Sequence, residues 1–199
     1  MYIICSDLEG VFVPEVWINV AERTGIEELR KTTRDEPDYD KLMLQRLKIL
    51  DHHGLKLKDI QEVIAGIKPL EGALEFLWWV RKRTQAIVVS DTFAQFADPL
   101  MAQLDRPTIF CHNLIVDEND RITGYKLRQP DPKKKVVQAL QSLEYKVIAF
   151  GDSYNDTSML LQAEIGILFC PPQNVIDEFP QLPVCKNYTE LKAILEQYI

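Results

Sequence analysis

Two acidic side chains stand two residues apart in Asp7-Leu8-Glu9-Gly10, directly after the apolar run Tyr2-Ile3-Ile4-Cys5. A strand that ends there delivers both carboxylates to the carboxyl end of a sheet, where open α/β sheets bind their ligands. One carboxylate can then attack an electrophile while the other passes protons. Acidic residues also end strands simply to make polar turns, so the pair acquires meaning only from what accompanies it.

Three later segments supply the company. Ser90-Asp91-Thr92 follows the apolar run Ala86–Val89, placing a hydroxyl and backbone N–H groups where a helix is predicted to begin. Such an end binds phosphate, although the same residues also serve as an ordinary N-cap. Asp131-Pro132-Lys133-Lys134-Lys135 opens another predicted helix, with Asp131 as cap and Pro132 at the first position. Lysines in a first turn oppose the helix dipole, a placement that makes sense if one of them meets an anion; the plain alternative is a solvated basic face. Finally, Gly151-Asp152-Ser153-Tyr154-Asn155-Asp156 follows Lys146–Phe150. Its glycine permits a tight strand exit, and its carboxylates are the hard oxygen ligands that Mg²⁺ takes sparingly.

Together these stations suit phosphoryl transfer. An attacking carboxylate has to approach a group that is already anionic, so the site needs cations, and Mg²⁺ with Lys133 would supply them against Asp7, Glu9, Asp152 and Asp156.

The elements that must position these residues follow from periodicity. Short apolar runs at 2–6, 86–89, 108–111, 146–150 and 165–169 alternate with helix-length segments, the pattern of a doubly wound, mostly parallel α/β sheet covered on both faces. Leu114–Val116 and Ile122–Tyr125 flank Asp117-Glu118-Asn119-Asp120 and predict a small β-hairpin at the sheet edge. The segment between the first two strands is too long for one crossover helix. Its apolar positions, among them Leu42, Leu47, Leu50, Ile60 and Ile64, predict at least two further helices. The expected division is a catalytic core of residues 1–14 with 70–199 and an inserted helical cap of residues 15–69. Trp78 and Trp79 are expected in the core, and Asn187 with Glu190 forms a capping box for a last, docking helix.

Composition narrows the class of function. The net charge of −7 disfavours nucleic-acid and anionic-membrane partners. No run approaches the length of a membrane span and the N-terminus lacks a signal-peptide pattern, so a cytoplasmic protein is the expectation. Cys5, Cys111, Cys170 and Cys185 lack zinc-site spacing and are expected as small apolar residues in a reducing compartment. His52, His53 and His112 form no ligand constellation and are expected as surface or partly packed residues.

In this order, the four stations resemble the four motifs of the haloacid dehalogenase superfamily. The stretches DLEGVFVPE, DYDKLMLQRLKILDHHGLKLKDIQEVI, KPLEGA, VVSDTF and GDSYNDTSML are similar, more closely, to phosphoserine phosphatases of the type that also transfers phosphate to homoserine. The resemblance implies that Asp7 is the nucleophile that becomes an aspartyl phosphate and that Glu9 is the general acid/base. It implies Mg²⁺ held by Asp7, the Glu9 backbone carbonyl and Asp152, with Asp156 behind them. Phosphate oxygens would be held by Ser90, the Asp91 amide, Lys133 and Asn155, and Glu15 and Arg46 would meet the ammonium and carboxylate of phosphoserine. Two departures stand out: Glu9 where the superfamily commonly has Asp, and Asp91 where many phosphoserine phosphatases have glycine. A phosphatase for another small phosphate ester, or a phosphorylated receiver-like signalling module, remain the alternatives at this point.

Overall fold

The computed structural model describes residues 1–33, 35, 36 and 38–199. A seven-stranded sheet runs through it in the order β4-β3-β2-β1-β5-β6-β7. The strands are β1 Tyr2–Ser6, β2 Gln85–Phe93, β3 Thr108–Val116, β4 Ile122–Lys126, β5 Lys146–Gly151, β6 Ile165–Phe169 and β7 Val184–Cys185. All neighbours are parallel except β3 and β4, the expected edge hairpin.

Register places the chemistry. Ser6 lies beside Val88 of β2 on one side and Phe150 of β5 on the other. Asp7 and Asp152, which follow β1 and β5, therefore emerge at the same edge as Ser90, near the carboxyl end of β2. The chain builds outward from β1 through β2 and β3, then returns to add β5 on the other flank. The reversal opens a crevice at the carboxyl ends of β1 and β5, where such sheets take their ligands.

Alternation along β1 divides the apolar core. Ile3 and Cys5 pack with Val136, Val137 and Leu140 of α6 (Pro132–Ser142) and Met159 and Leu160 of α7 (Tyr154–Gln162). Ile4 faces the other cluster, with Phe76 of α4 (Ala73–Arg81), Phe96 and Leu100 of α5 (Ala94–Gln103) and Leu191 of α9 (Tyr188–Leu195). Within it Phe12, Phe76 and Phe150 are fully buried, with ring centroids 5.9 to 6.4 Å apart. Each contributes about 1.5–3 kcal/mol by leaving water. The first three of the four α-helices between β1 and β2, namely α1 Val16–Thr24, α2 Tyr39–His52 and α3 Leu57–Ala65, with a 3₁₀ turn at Glu27–Arg30, pack into this second cluster together with α4. A short helix, α8 (Gln173–Glu178), precedes β7. No helix among the described residues is long and apolar enough to cross a membrane.

Three local expectations need correction. β2 does not stop at Val89; it runs through Ser90, Asp91 and Thr92 to Phe93, with a shift in its ladder to β3 between Val89 and Phe93. Buried Thr92 and Phe93 favour the extended chain, so the second station sits on an irregular strand end and α5 begins after it. Trp78 is 44% exposed, its Nε1–H donating to Asp105 Oδ2 at 3.1 Å, because it falls on the outer face of α4; Trp79 is the one that stacks on Phe76. His112, expected on the surface or partly packed, is fully enclosed at 2% exposure. At the last helix only half of the expected box forms: Asn187 Oδ1 accepts from the Glu190 N–H at 2.9 Å, but Glu190 Oε2 accepts from the Lys186 N–H at 2.7 Å, one residue before the cap.

Candidate active site

Asp7 ends β1 only 4% exposed, with its backbone N–H donating to Phe150 O at 3.0 Å. The loop from β5 to α7 lies alongside. Two glycines make room for it: a Cβ on Gly10, whose φ is +73°, would lie 2.4 Å from Asp152 Cγ, and one on Gly151 would lie 2.3 Å from Asp156 Cγ. Neither position admits a side chain without moving a carboxylate.

Lys133 reaches into this cluster from the first turn of α6. Its ammonium, in a side chain 2% exposed, lies 2.7 Å from Asp156 Oδ1, 3.0 Å from Asp7 Oδ1 and 3.7 Å from Asp91 Oδ2. Burial alone would pull the lysine down, but Asp156, Asp7 and Asp91 outweigh it and hold it well above its ordinary range. Asp131 caps α6 by position but in a left-handed conformation, without a side-chain cap bond; its Oδ1 accepts from Ser158 Oγ instead.

Asp156 spends both oxygens inside the protein. Oδ1 takes Lys133, while Oδ2 accepts from the N–H groups of Asp152 at 3.0 Å and Ser153 at 3.1 Å, closing the first turn of α7. Asp7, Asp152 and Asp156 nevertheless each offer an oxygen within 4.8 Å of the others, a buried all-carboxylate donor set of the kind a hard divalent cation takes. The electrostatics ask for that cation. Burial, reinforced by Asp156, Asp152 and Asp91 and opposed by Lys133, pushes the Asp7 carboxyl well above the usual carboxylate range. The residues present thus fit a hard divalent cation such as Mg²⁺, which Asp7 and Asp152 would be placed to hold, while Asp156 joins the loop to Lys133.

The other expected residues share the same cleft, whose lining includes Asp7, Glu9, Glu15, Arg46, Ser90 and Asn155. Glu9 Oε2 accepts from the Val16 N–H at 2.8 Å, which fixes the carboxyl against the start of α1. Burial, with Glu15 nearby, pushes Glu9 up to about 8, although the Val16 N–H, Arg46 and Lys133 pull the other way. A carboxyl shifted in this direction holds its proton more firmly than an ordinary one, as a general acid must. Arg46, buried on α2, lies with its guanidinium 4.4 Å from the Trp17 ring centroid and donates from Nη2 to Lys31 O at 2.8 Å. Burial pulls Arg46 down to about 10, still cationic, and its buried Nε has no hydrogen-bond partner.

Ser90 Oγ accepts from the Thr92 N–H at 3.2 Å, and Asn155 Nδ2 donates to Asp91 Oδ2 at 2.9 Å. Burial would raise the Asp91 carboxyl, yet Lys133, His112 and Asn155 together hold it below the usual carboxylate range. Asp91 therefore keeps its charge and directs it at neighbouring side chains.

Two residues of the site escape a reading of the sequence. Tyr39, at the start of α2, donates its hydroxyl to Asp91 O at 3.1 Å and so joins the inserted helices to the strand-end station. A tyrosine in an amphipathic stretch reads as packing, and nothing local marks its partner 52 positions away. His112 lies beside Asp91, and its signal was faint but present: it sits two residues before buried Leu114 on β3, on the same side of the strand.

Known proteins resemble this chain along most of its length. The sequence profile of the haloacid dehalogenase-like hydrolases matches residues 15–161. Phosphoserine phosphatase ThrH of Pseudomonas aeruginosa is 62% identical over 96% of this chain and 94% of its own length. A phosphoserine phosphatase of Pseudomonas syringae pv. tomato is also 62% identical, over 96% of this chain and 80% of its own. Among solved structures, a phospho-aspartyl intermediate analogue of phosphoserine phosphatase superposes with a TM-score of 0.78 at 21% identity, covering 98% of this chain and 97% of the other. A substrate-bound phosphoserine phosphatase complex gives 0.78 at 22% identity over the same shares, and at these identities the likeness is one of fold.

Proposed function

The chain belongs to the haloacid dehalogenase-like hydrolases, and from that premise we propose that it is a Mg²⁺-dependent phosphoserine phosphatase that also transfers the phosphoryl group to homoserine. The observation that carries the substrate is the meeting of Glu15 and Arg46 with Asp7 in one cleft, with the Lys133 ammonium 3.0 Å from Asp7 Oδ1. Phosphoserine has three charged groups, and these residues offer an opposite charge for each: Lys133, beside Asp7, for the phosphate, Arg46 for the carboxylate and Glu15 for the ammonium. The unpartnered Nε of Arg46 supports that pairing, since a buried donor without an acceptor costs about 1–3 kcal/mol until one arrives.

A carboxylate oxygen of Asp7 attacks phosphorus, and the bond from phosphorus to the serine oxygen breaks. Glu9 gives its proton to that oxygen, so serine leaves neutral at the hydroxyl. The resulting Glu9 carboxylate then removes a proton from water or from the homoserine hydroxyl, whose oxygen attacks the aspartyl phosphate and restores Asp7. Lys133, Ser90, the Asp91 amide and Asn155 hold the non-bridging oxygens throughout. Mg²⁺, held by Asp7, the Glu9 carbonyl and Asp152, would keep Asp7 ionised and offset the charge of the phosphoryl oxygens. Residues 15–69 act as a cap that keeps bulk water from the intermediate, with residues 1–14 and 70–199 as the core. Tyr39 ties the two together through Asp91 O.

Arg46→Ala, assayed on phosphoserine, phosphothreonine and sugar phosphates, tests the substrate. The expected result is a loss of about tenfold or more in kcat/KM confined to the amino-acid phosphates, the scale of one charged hydrogen bond. A uniform loss across the panel would contradict the assignment of Arg46 and favour another small phosphate ester.

A further inference from the structure

We infer that His112 is a positioning residue for the phosphate site: it tethers the Asp91 carboxylate and so keeps the Lys133 ammonium available to the substrate. The inference rests on the phosphatase reading above and explains how the site tolerates a carboxylate at position 91.

His112 occupies β3 beside the irregular end of β2, with Phe93 as its register partner. Its Nδ1 accepts from the Arg128 N–H at 3.1 Å. The ring proton therefore sits on Nε2, which lies 3.4 Å from Asp91 Oδ1. The other Asp91 oxygen accepts from Asn155 Nδ2 at 2.9 Å. Held between these two donors, Asp91 stays 3.7 Å from Lys133, whereas Asp156 and Asp7 come within 2.7 and 3.0 Å of it. The rings of Phe93 and Tyr39, each with its centroid 6.2 Å from that of the histidine, confine it from two sides.

The charge balance shows why the tether matters. Lys133 already faces Asp156 and Asp7 at contact distance and Asp91 at 3.7 Å, and a closer approach by Asp91 would take up what remains for an incoming phosphate. Only a small closing movement of the Asp91 carboxylate separates the two arrangements. Removing the His112 donor frees one of its oxygens, and the nearest cation to receive it is Lys133. Phosphate affinity should fall as a result, in substrate and product alike.

His112→Phe keeps the ring volume and removes both nitrogens. KM for phosphoserine and the dissociation constant for inorganic phosphate, titrated into the Mg²⁺-loaded protein, should rise together by about tenfold, the scale of a hydrogen bond to a charged group. His112→Gln, whose amide nitrogen reaches the position of Nε2, should recover most of the affinity. His112→Asn, which can still accept from the Arg128 N–H but falls short of Asp91, should not, and this pair decides the matter even if His112→Phe does not fold. In an Asp91→Asn background the effect of His112→Phe on phosphate affinity should largely vanish. Unchanged phosphate affinity in folded His112→Phe, equal affinities in His112→Gln and His112→Asn, or an undiminished effect in the Asp91→Asn background would overturn the inference. If the wild-type protein binds phosphate yet does not hydrolyse phosphoserine, the substrate reading fails, and the phosphate titration still decides the role of His112.

Discussion

Asp7→Asn is expected to lower phosphoserine turnover by at least about 10⁴-fold, the scale seen when a covalent nucleophile is removed, with no phosphoenzyme detectable by acid-quench labelling. The substitution is nearly isosteric, so the fold should survive. Its effect on stability should even be favourable, because burial first, and then the neighbouring carboxylates of its cluster, push the proton affinity of Asp7 up. Removing a charge from that cluster relieves repulsion, and a small rise in the Tm of the metal-free protein is expected. The two outcomes together are diagnostic: a residue that served only to end a strand would give neither. Substantial turnover in folded Asp7→Asn would remove the aspartyl phosphate from the mechanism.

Lys133→Ala carries the second large effect and combines both consequences in one direction. Lys133 is the cation that Asp7, Asp91 and Asp156 share at the heart of the site. Without it those carboxylates are left buried and uncompensated, a loss of about 3 kcal/mol or more when one partner of a buried pair is removed. For a chain of this size that corresponds to roughly 6–12 °C in Tm. Mg²⁺ should recover part of the lost stability, because it binds the same carboxylates in the folded state alone. Turnover should fall by about 10²–10³-fold, as when one preorganised donor to the developing charge is lost. A variant as stable as the wild type and nearly as active would mean that the lysine is a solvated residue of a basic face, which its 2% exposure already argues against.

Much of this site is legible in the chain because its parts end strands. Asp7, Ser90 and Asp152 each follow an apolar run, and parallel pairing with Ser6 opposite Val88 and Phe150 leaves them no other edge on which to meet. Lys133 is legible for a related reason: a lysine in the first turn of a helix opposes the dipole unless an anion compensates it. The receiver-like alternative, built from similar residue types, gives way to the hydrolase family through the match that begins at residue 15, inside the inserted helices. What stays hidden depends on contacts between distant segments. Ser90–Thr92 reads as the start of a helix because hydroxyl residues cap helices, yet the packing of Thr92 and Phe93 keeps it extended. Trp78 reads as core because indole is large and apolar, but its helix turns it outward. His112 has no spacing motif, and only the pairing of β2 with β3 brings it to Asp91.

The departure at Asp91 gains a physical account from this. A carboxylate beside a phosphate site would be unfavourable if it pointed inward; here Asn155 and His112 take its two oxygens and Tyr39 holds its carbonyl. The longer acid at Glu9 is fixed in the same manner, against the Val16 N–H.

The most direct test is to incubate the Mg²⁺-loaded protein with phosphoserine, with and without homoserine, and to quantify free phosphate and phosphohomoserine. Release of phosphate with many turnovers per protein, and diversion of part of it to phosphohomoserine when homoserine is present, is the predicted result. Absence of phosphate release from phosphoserine under conditions where another small phosphate ester is hydrolysed would contradict it.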